Sequence, residues 1–169
     1  MRMRFSKILF LSVFGLLLEA SALSQSGPKT VVDYYLILPN KYTYDVGPKR
    51  RKELINPENG RVNTIDLKNG YLSISGDAGE AGIVIALFKK SDGSYLVGVT
   101  VYNELTEDFY MLRYTGGKWS DMTRTVIPKL SKKKRYELPQ YGTTINVSSE
   151  TGERLYQLTW SNGKFTIKR

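Results

Sequence analysis

From about residue 61 to the C-terminus, apolar and polar positions alternate with a period of two, and short turn sequences interrupt the alternation. This pattern is typical of antiparallel strands that are joined by hairpins. Each turn sequence contains glycine; they are Asn69-Gly70, Ser91-Asp92-Gly93, Thr115-Gly116-Gly117, Thr151-Gly152 and Asn162-Gly163. Four of these turns are followed within two positions by an aromatic residue that can pack over the hairpin end and fix its register, at Tyr71, Tyr95, Trp119 and Phe165.

Two neighbouring segments differ in how apolar their faces are. Residues 83–88, IVIALF, are apolar at every position, which predicts a central strand that is covered on both faces. In residues 95–102 the odd positions share one face and the even positions share the other. The turns advance along the chain in nearly constant steps, as in an up-and-down meander. We therefore predict a mainly β protein of about eight antiparallel strands, arranged as a curved sheet or an incomplete barrel.

One or two short helices are predicted before the strands. Thr30 can cap a helix in which Asp33 occupies the third position, and Pro39 would end that helix. The pair Val31-Val32 leaves an extended strand as an alternative. Residues 49–55, KRRKELI, predict a second helical turn with its cations outside and Leu54 and Ile55 inside. Residues 122–135 do not have a strand pattern, and Pro128 limits any helix there.

The N-terminal 22 residues have the organisation of a secretory signal peptide. Three cations among the first seven residues precede an apolar stretch from Ile8 to Leu18, and Ala20-Ser21-Ala22 provides small residues for cleavage. Eleven apolar residues are too few to cross a bilayer, which needs about 20. We expect cleavage after Ala22, with Ser24 as the near alternative, and a single β-rich domain over 23–169. The sequence thus predicts an exported protein, periplasmic or secreted.

Composition excludes several kinds of chemistry. The chain contains no histidine and no cysteine, so it cannot form a histidine-based catalytic triad, a thiol nucleophile or an ordinary zinc or copper site. We expect no cofactor and no metal. Carboxylates remain available, at Glu104, Glu107 and Asp108 between two predicted strands and at Asp77 and Glu80 in a glycine-rich loop. Two carboxylates across a sugar are sufficient for a glycosidase, so a polysaccharide hydrolase remains one alternative.

Two runs of four cations stand out in a basic chain of formal net charge +9. The first is Lys49, Arg50, Arg51 and Lys52, and the second is Lys132, Lys133, Lys134 and Arg135. Such runs are commonly solvated faces, and they can also contact a polyanion. Tyr136 and Tyr141 lie beside the second run and can supply apolar contact. These ten residues are the candidate ligand-binding residues.

The sequence favours a non-enzymatic binding protein over an enzyme. Outside the cytoplasm the polyanions at hand are acidic polysaccharides, cell-wall polymers and lipid headgroups, and these are the expected partners. Nucleic acid is a weak candidate because no stacking motif accompanies either run. A protein partner that pairs with an exposed sheet edge is the second alternative. The oligomeric state does not follow from the sequence.

Overall fold

The computed structural model describes residues 27–76, 81–161 and 163–168, and the predicted signal peptide lies outside them. The described residues contain three short α-helices: α1 is Val31–Ile37, α2 is Pro48–Leu54 and α3 is Thr123–Val126. Single 3₁₀ turns follow the first two, at Asn40–Tyr42 and Pro57–Asn59. The strands are β1 (Val62–Asp66), β2 (Tyr71–Ile74), β3 (Gly82–Lys89), β4 (Tyr95–Tyr102), β5 (Glu107–Thr115), β6 (Lys118–Asp121), β7 (Lys134–Glu137), β8 (Thr144–Ser149), β9 (Arg154–Ser161) and β10 (Lys164–Lys168).

The strands form two antiparallel sheets, and in each sheet every strand pairs with its neighbours in sequence. The first sheet contains β1 to β6 and the second contains β7 to β10. Neither sheet closes into a barrel. The prediction of a mainly β, up-and-down meander with short helices is confirmed. The described residues form ten strands instead of about eight, and these lie in two sheets instead of one curved sheet.

The break between the sheets falls in the segment that lacks a strand pattern. Helix α3 is only four residues long and ends shortly before Pro128, which cannot continue a helix because its nitrogen carries no hydrogen. Strand β7 then begins at Lys134, inside the stretch that was predicted to be irregular. Four residues with three charges give too little alternation to be distinguished from a loop.

The first sheet lies in the middle of a three-layer arrangement. One of its faces packs against α1, the Asn40–Tyr42 turn and α2, in a cluster that includes Tyr35, Leu54 and Ile85. Its other face packs against α3 and the second sheet, in a cluster that includes Phe88, Tyr136 and Leu158. The two hydrophobic clusters therefore share the first sheet as their common wall.

The pattern of β3 and β4 in the sequence is explained by this central position. Along β3, Ile83 and Ile85 belong to the cluster under the helices, while Ala86 and Phe88 belong to the cluster between the sheets. Strand β4 alternates in the same way. The prediction of a strand covered on both faces at residues 83–88 is confirmed, because each face contacts a different layer.

The start of the first helix is fixed by local hydrogen bonds. The hydroxyl of Thr30 accepts a hydrogen bond from the backbone N–H of Asp33 at 3.1 Å, and the Asp33 carboxylate accepts one from the N–H of Thr30 at 2.8 Å. This is the reciprocal capping arrangement that the sequence predicts. Helix α1 ends at Ile37, two residues before Pro39. The alternative of an extended strand here is excluded.

Aromatic pairs close the ends of two hairpins. Trp119 lies directly across from Tyr114, with their rings 5.2 Å apart. Phe165 lies across from Trp160, with a ring separation of 5.0 Å. Since aromatic cross-strand pairs stabilise one register over its neighbours, these contacts give a physical reason for the aromatic that follows the turn glycine in these two hairpins.

Candidate anion-binding surface

The two basic runs lie in different layers of the structure. The first run forms most of α2, whose Leu54 packs under the helical face of the first sheet. The second run ends in β7, whose Tyr136 packs on the opposite face. The first sheet therefore lies between the two runs, so they do not form one continuous basic surface.

Arg51 does not belong to any surface. Its side chain is only 1% exposed, and its guanidinium donates to the carbonyl of Leu36 at 3.2 Å and to the hydroxyl of Thr43 at 3.3 Å. The prediction that all cations of this run face outward is wrong at this position. Burial lowers the pKa of Arg51, because the charged form loses hydration. The exposed cations of α2 are Lys49 and Lys52, while Arg50 bonds to Glu53 at 3.2 Å.

Two members of the second group are structural as well. Tyr136 is 2% exposed and stacks on Phe109 with 4.6 Å between the ring centres, so it cannot contact a ligand in this conformation. The ammonium of Lys134 donates to the carbonyl of Lys129 and to the hydroxyl of Tyr156, both at 3.1 Å. The prediction of a surface role is therefore wrong for Tyr136. Lys134 is half-buried, and its ammonium is already hydrogen-bonded within the fold.

These buried side chains hold the loop that carries the remaining cations. The hydroxyl of Tyr136 accepts a hydrogen bond from the N–H of Ser131 at 3.0 Å, and the hydroxyl of Ser131 accepts one from the N–H of Lys133 at 3.2 Å. Lys132 and Lys133 are exposed at the tip of this loop. In the described part of the chain, neither ammonium has a hydrogen bond or an ion pair. The loop therefore presents two unpaired positive charges from a backbone that is held in place.

Arg135 is exposed and lies near a carboxylate of the first sheet. Partial loss of hydration raises the pKa of Glu107, and the positive charge of Arg135 opposes that change. The next residue, Asp108, points to the helical side of β5, where its carboxylate accepts a hydrogen bond from the Tyr44 hydroxyl at 3.0 Å. Because these two carboxylates lie on opposite faces of one strand, they cannot act together across a bound sugar.

Tyr141 lies away from the basic run, beyond the C-terminal end of β7. It is 72% exposed, and its hydroxyl accepts a hydrogen bond from the Gln140 amide at 3.0 Å. The same amide donates to Asp66, the last residue of β1, at 3.5 Å. The sequence placed Tyr136 and Tyr141 together with the basic run, but the structure buries one and moves the other to the far end of the strand.

The outer face of the second sheet carries a set of polar residues that the sequence did not single out. Tyr136, Val147 and Leu158 point into the core, so their neighbours on the same strands point outward. The strand register sets Arg135 opposite Ser148, and Ser148 opposite Arg154. A register shift beside this position keeps Arg154 on the outer face. The sequence signal for the row formed by Arg135, Ser148 and Arg154 is hairpin pairing combined with the alternation of side chains along each strand. The row was missed because residues 134–137 were not recognised as a strand.

A small cleft lies on this outer face. Its volume is about 240 Å³, and it is lined by Glu137, Asn146, Val147, Ser148, Gly152 and Arg154. The amide of Asn146 donates to Glu137 at 3.1 Å and accepts from the amide of Gln157 at 3.0 Å. The result is a hydrogen-bonded ladder across three strands. Within the described residues, the side chains of Ser148 and Arg154 have no partner and are available to a ligand.

A larger and more open cleft lies at the first described residues. Its volume is about 1010 Å³, and its walls are formed by residues 27–29, α1 and the turn after β5. Tyr34 and Tyr114 provide its aromatic surface, and Lys29 is the cation in its lining. The Asp33 carboxylate is already occupied by the helix cap. None of the ten candidate residues lines this cleft.

The structure does not place a metal site among the described residues, where no three carboxylates come together. Asp77 and Glu80, the carboxylates of the glycine-rich loop, lie outside those residues. No helix in the described part of the chain combines the length and the apolar character that a membrane span requires. Comparison of the chain with protein-family models, with curated proteins and with solved structures found no match.

Proposed function

We propose that the protein binds an anionic polymer outside the cytoplasm, through the surface formed by Lys132, Lys133 and Arg135 and the adjoining outer face of β7–β10. The observation that supports this is the preorganised loop. Hydrogen bonds to Tyr136 and Ser131 fix the backbone at Ser131 and Lys133, and neither lysine of the loop has a carboxylate partner among the described residues. A loop whose backbone is already fixed loses little backbone entropy on binding, so more of the electrostatic attraction of its lysines contributes to affinity.

A sheet-edge interaction with another protein is less well supported. Both sheets are open, and β10 is one of their four edge strands in the described residues, beside β1, β6 and β7. The side chains of Lys164 and Lys168 flank this edge, and lysines at an edge strand oppose pairing with further strands. A carboxylate hydrolase is also less well supported, because Glu107 and Asp108 lie on opposite faces of β5.

The first test begins with the full 169-residue chain expressed in a bacterial host, with the exported product recovered. Mass spectrometry of that product tests the signal peptide, since cleavage after Ala22 leaves an N-terminal leucine. Binding of the product to a polyanion such as dextran sulfate is then measured over a salt series. We expect the logarithm of the association constant to fall linearly with the logarithm of salt concentration, because binding releases counterions.

A charge-matched pair of variants locates the contact. Lys132→Ser with Lys133→Ser removes two charges from the loop without disturbing Lys134, and Lys49→Ser with Lys52→Ser removes two charges from α2. We expect the loop variant to lose about tenfold or more in affinity and to reduce the salt slope, while the α2 variant changes little. Equal loss in both variants would show attraction by net charge alone, and the absence of any polyanion binding would overturn the proposal.

A further inference from the structure

Two arginines lie on either side of a serine on the outer face of the second sheet. Arg135, Ser148 and Arg154 occupy adjacent strands at matched register positions. Neighbouring strands are about 5 Å apart, so the backbones of the two arginines are separated by about 10 Å. Arg154 lines the cleft together with Ser148, and Arg135, opposite Ser148 on β7, has a side chain long enough to approach an anionic group there. Neither arginine forms an ion pair within 4 Å in the described part of the chain.

The cleft beside these three residues has a cationic side and an acidic side. Arg154 and Ser148 lie on one side of it, and Glu137 and Asn146 lie on the other. A guanidinium and a hydroxyl are donors suited to a carboxylate, while a glutamate and an amide accept and donate hydrogen bonds with hydroxyl groups. A ligand that carries an acid group and hydroxyls within one ring-sized unit fits this lining.

We propose that this cleft binds a uronic acid residue of an acidic polysaccharide. The carboxylate lies against Arg154 and Ser148, with Arg135 approaching from β7, and the ring hydroxyls bond to Glu137 and Asn146. This inference rests on the proposed function and narrows its ligand class from any polyanion to a polyuronate. The cleft volume of about 240 Å³ accommodates a single sugar ring.

The surroundings of the cleft favour a polymer over a free small molecule. The cleft is open on the outer face, and polar rows continue beyond it to Gln157 and Lys168 along the strand register. A chain of sugars can therefore extend past the cleft on the same face. The aromatic rings of Tyr156 and Trp160 pack toward the core, so in the described part of this face no ring is placed to stack a nucleic acid base.

The test compares two polyanions of different chemistry. Binding of the protein to polygalacturonate, a carboxylate polymer with ring hydroxyls, is measured beside binding to dextran sulfate. We expect Arg154→Gln to weaken polygalacturonate binding by about tenfold, as the loss of a charge-assisted hydrogen bond predicts, and to weaken dextran sulfate binding much less. Ser148→Ala is expected to act in the same direction with a smaller effect.

The matched control is Lys164→Gln, which removes one exposed positive charge from the same sheet at a distance from the cleft. We expect it to change binding of both polymers by less than about threefold. Equal losses in Arg154→Gln and Lys164→Gln would overturn the uronate site and leave the general polyanion surface standing. Failure to bind either polymer would overturn both proposals. Competition by a free amino acid, stronger than competition by galacturonate, would overturn the uronate assignment and show that the cleft holds a zwitterion instead.

Discussion

Arg51 shows how one residue in a charged run can serve the fold instead of the surface. Its guanidinium donates to the carbonyl of Leu36, which lies in the last turn of α1 and has no partner within that helix. The neighbouring carbonyl of Ile37 accepts from the indole of Trp119 at 3.1 Å. Side chains from α2 and β6 therefore donate hydrogen bonds to the free carbonyls at the C-terminal end of α1. A cation at this end also interacts favourably with the helix dipole.

We expect Arg51→Ala to lower the free energy of unfolding by about 3 kcal/mol, because it leaves a cavity and an unpaired carbonyl in the core. Lys52→Ala, one position along the same helix and exposed, is the control and should change stability by less than about 0.5 kcal/mol. Urea denaturation followed by tryptophan fluorescence measures both values. A loss below about 1 kcal/mol in Arg51→Ala would show that the buried guanidinium contributes little.

The sequence contained a signal for the position of Arg51. Residues three and four apart share one face of a helix, so Arg51 lies on the same face as Leu54 and Ile55. Both of these were predicted to point inward. The charge of Arg51 suggested an outward position, while helical spacing indicated an inward one, and spacing proved decisive because a long side chain can bury its stem and still reach polar acceptors.

Among the elements, α1 is the one whose limits follow most directly from the sequence. Its start depends on Thr30 and Asp33, which are three residues apart, and its end depends on Pro39. Strand β7 depends on partners that lie elsewhere in the chain, since Arg135 and Tyr136 acquire opposite orientations only through pairing with β8. Local signals predict local elements, whereas a four-residue strand requires tertiary context.

The cap of α1 makes part of the stability depend on pH. Hydrogen bonding, chiefly to the N–H of Thr30, lowers the pKa of Asp33. A carboxyl whose pKa is lower in the folded state stabilises the fold above its unfolded pKa of about 3.9, and that contribution is lost as pH falls through the folded pKa. We expect Asp33→Asn to destabilise the protein by about 0.5–1 kcal/mol at pH 7.

Asparagine resembles the protonated carboxyl in shape, so the difference between wild type and Asp33→Asn should disappear at low pH. Denaturation at several pH values between about 7 and 2 measures that difference. Glu150→Gln, at an exposed turn between β8 and β9, removes the same charge without a cap and serves as the control. A difference for Asp33→Asn that stays constant across this range would contradict the assigned role of the charge.

At the scale of the whole molecule, the candidate surface could be predicted only in part. The two basic runs look alike in the sequence, yet the first sheet separates them, because one is in a helix on one face and the other leads into a strand on the opposite face. Arg154 was not considered, since its proximity to Arg135 requires two strand pairings and a register shift. Residue types and their local spacing predict elements and exposed charge. Which distant residues come together on one surface depends on the topology of the sheets.

The two sheets meet where β4 contacts the segment after β7. Gly98 lies at this contact, and a Cβ atom added to it would lie 2.6 Å from Leu138 and 3.1 Å from Phe88. The absence of a side chain at this position thus lets the second sheet approach the first closely. We expect Gly98→Ala to destabilise the protein by about 1–3 kcal/mol through overpacking, and Leu138→Ala to destabilise it by about 2–4 kcal/mol through loss of buried surface.

The double variant distinguishes a packing contact from two independent effects. If the methyl group that Gly98→Ala adds occupies the space that Leu138→Ala vacates, the double variant will be more stable than the sum of the two losses predicts, by about 1 kcal/mol or more. Gly27→Ala is the control, because nothing lies within 4 Å of the added methyl group. Urea denaturation of these variants beside the wild type gives the coupling energy. Strict additivity would show that the two layers do not meet at this pair, and the close approach of the sheets would then need another origin.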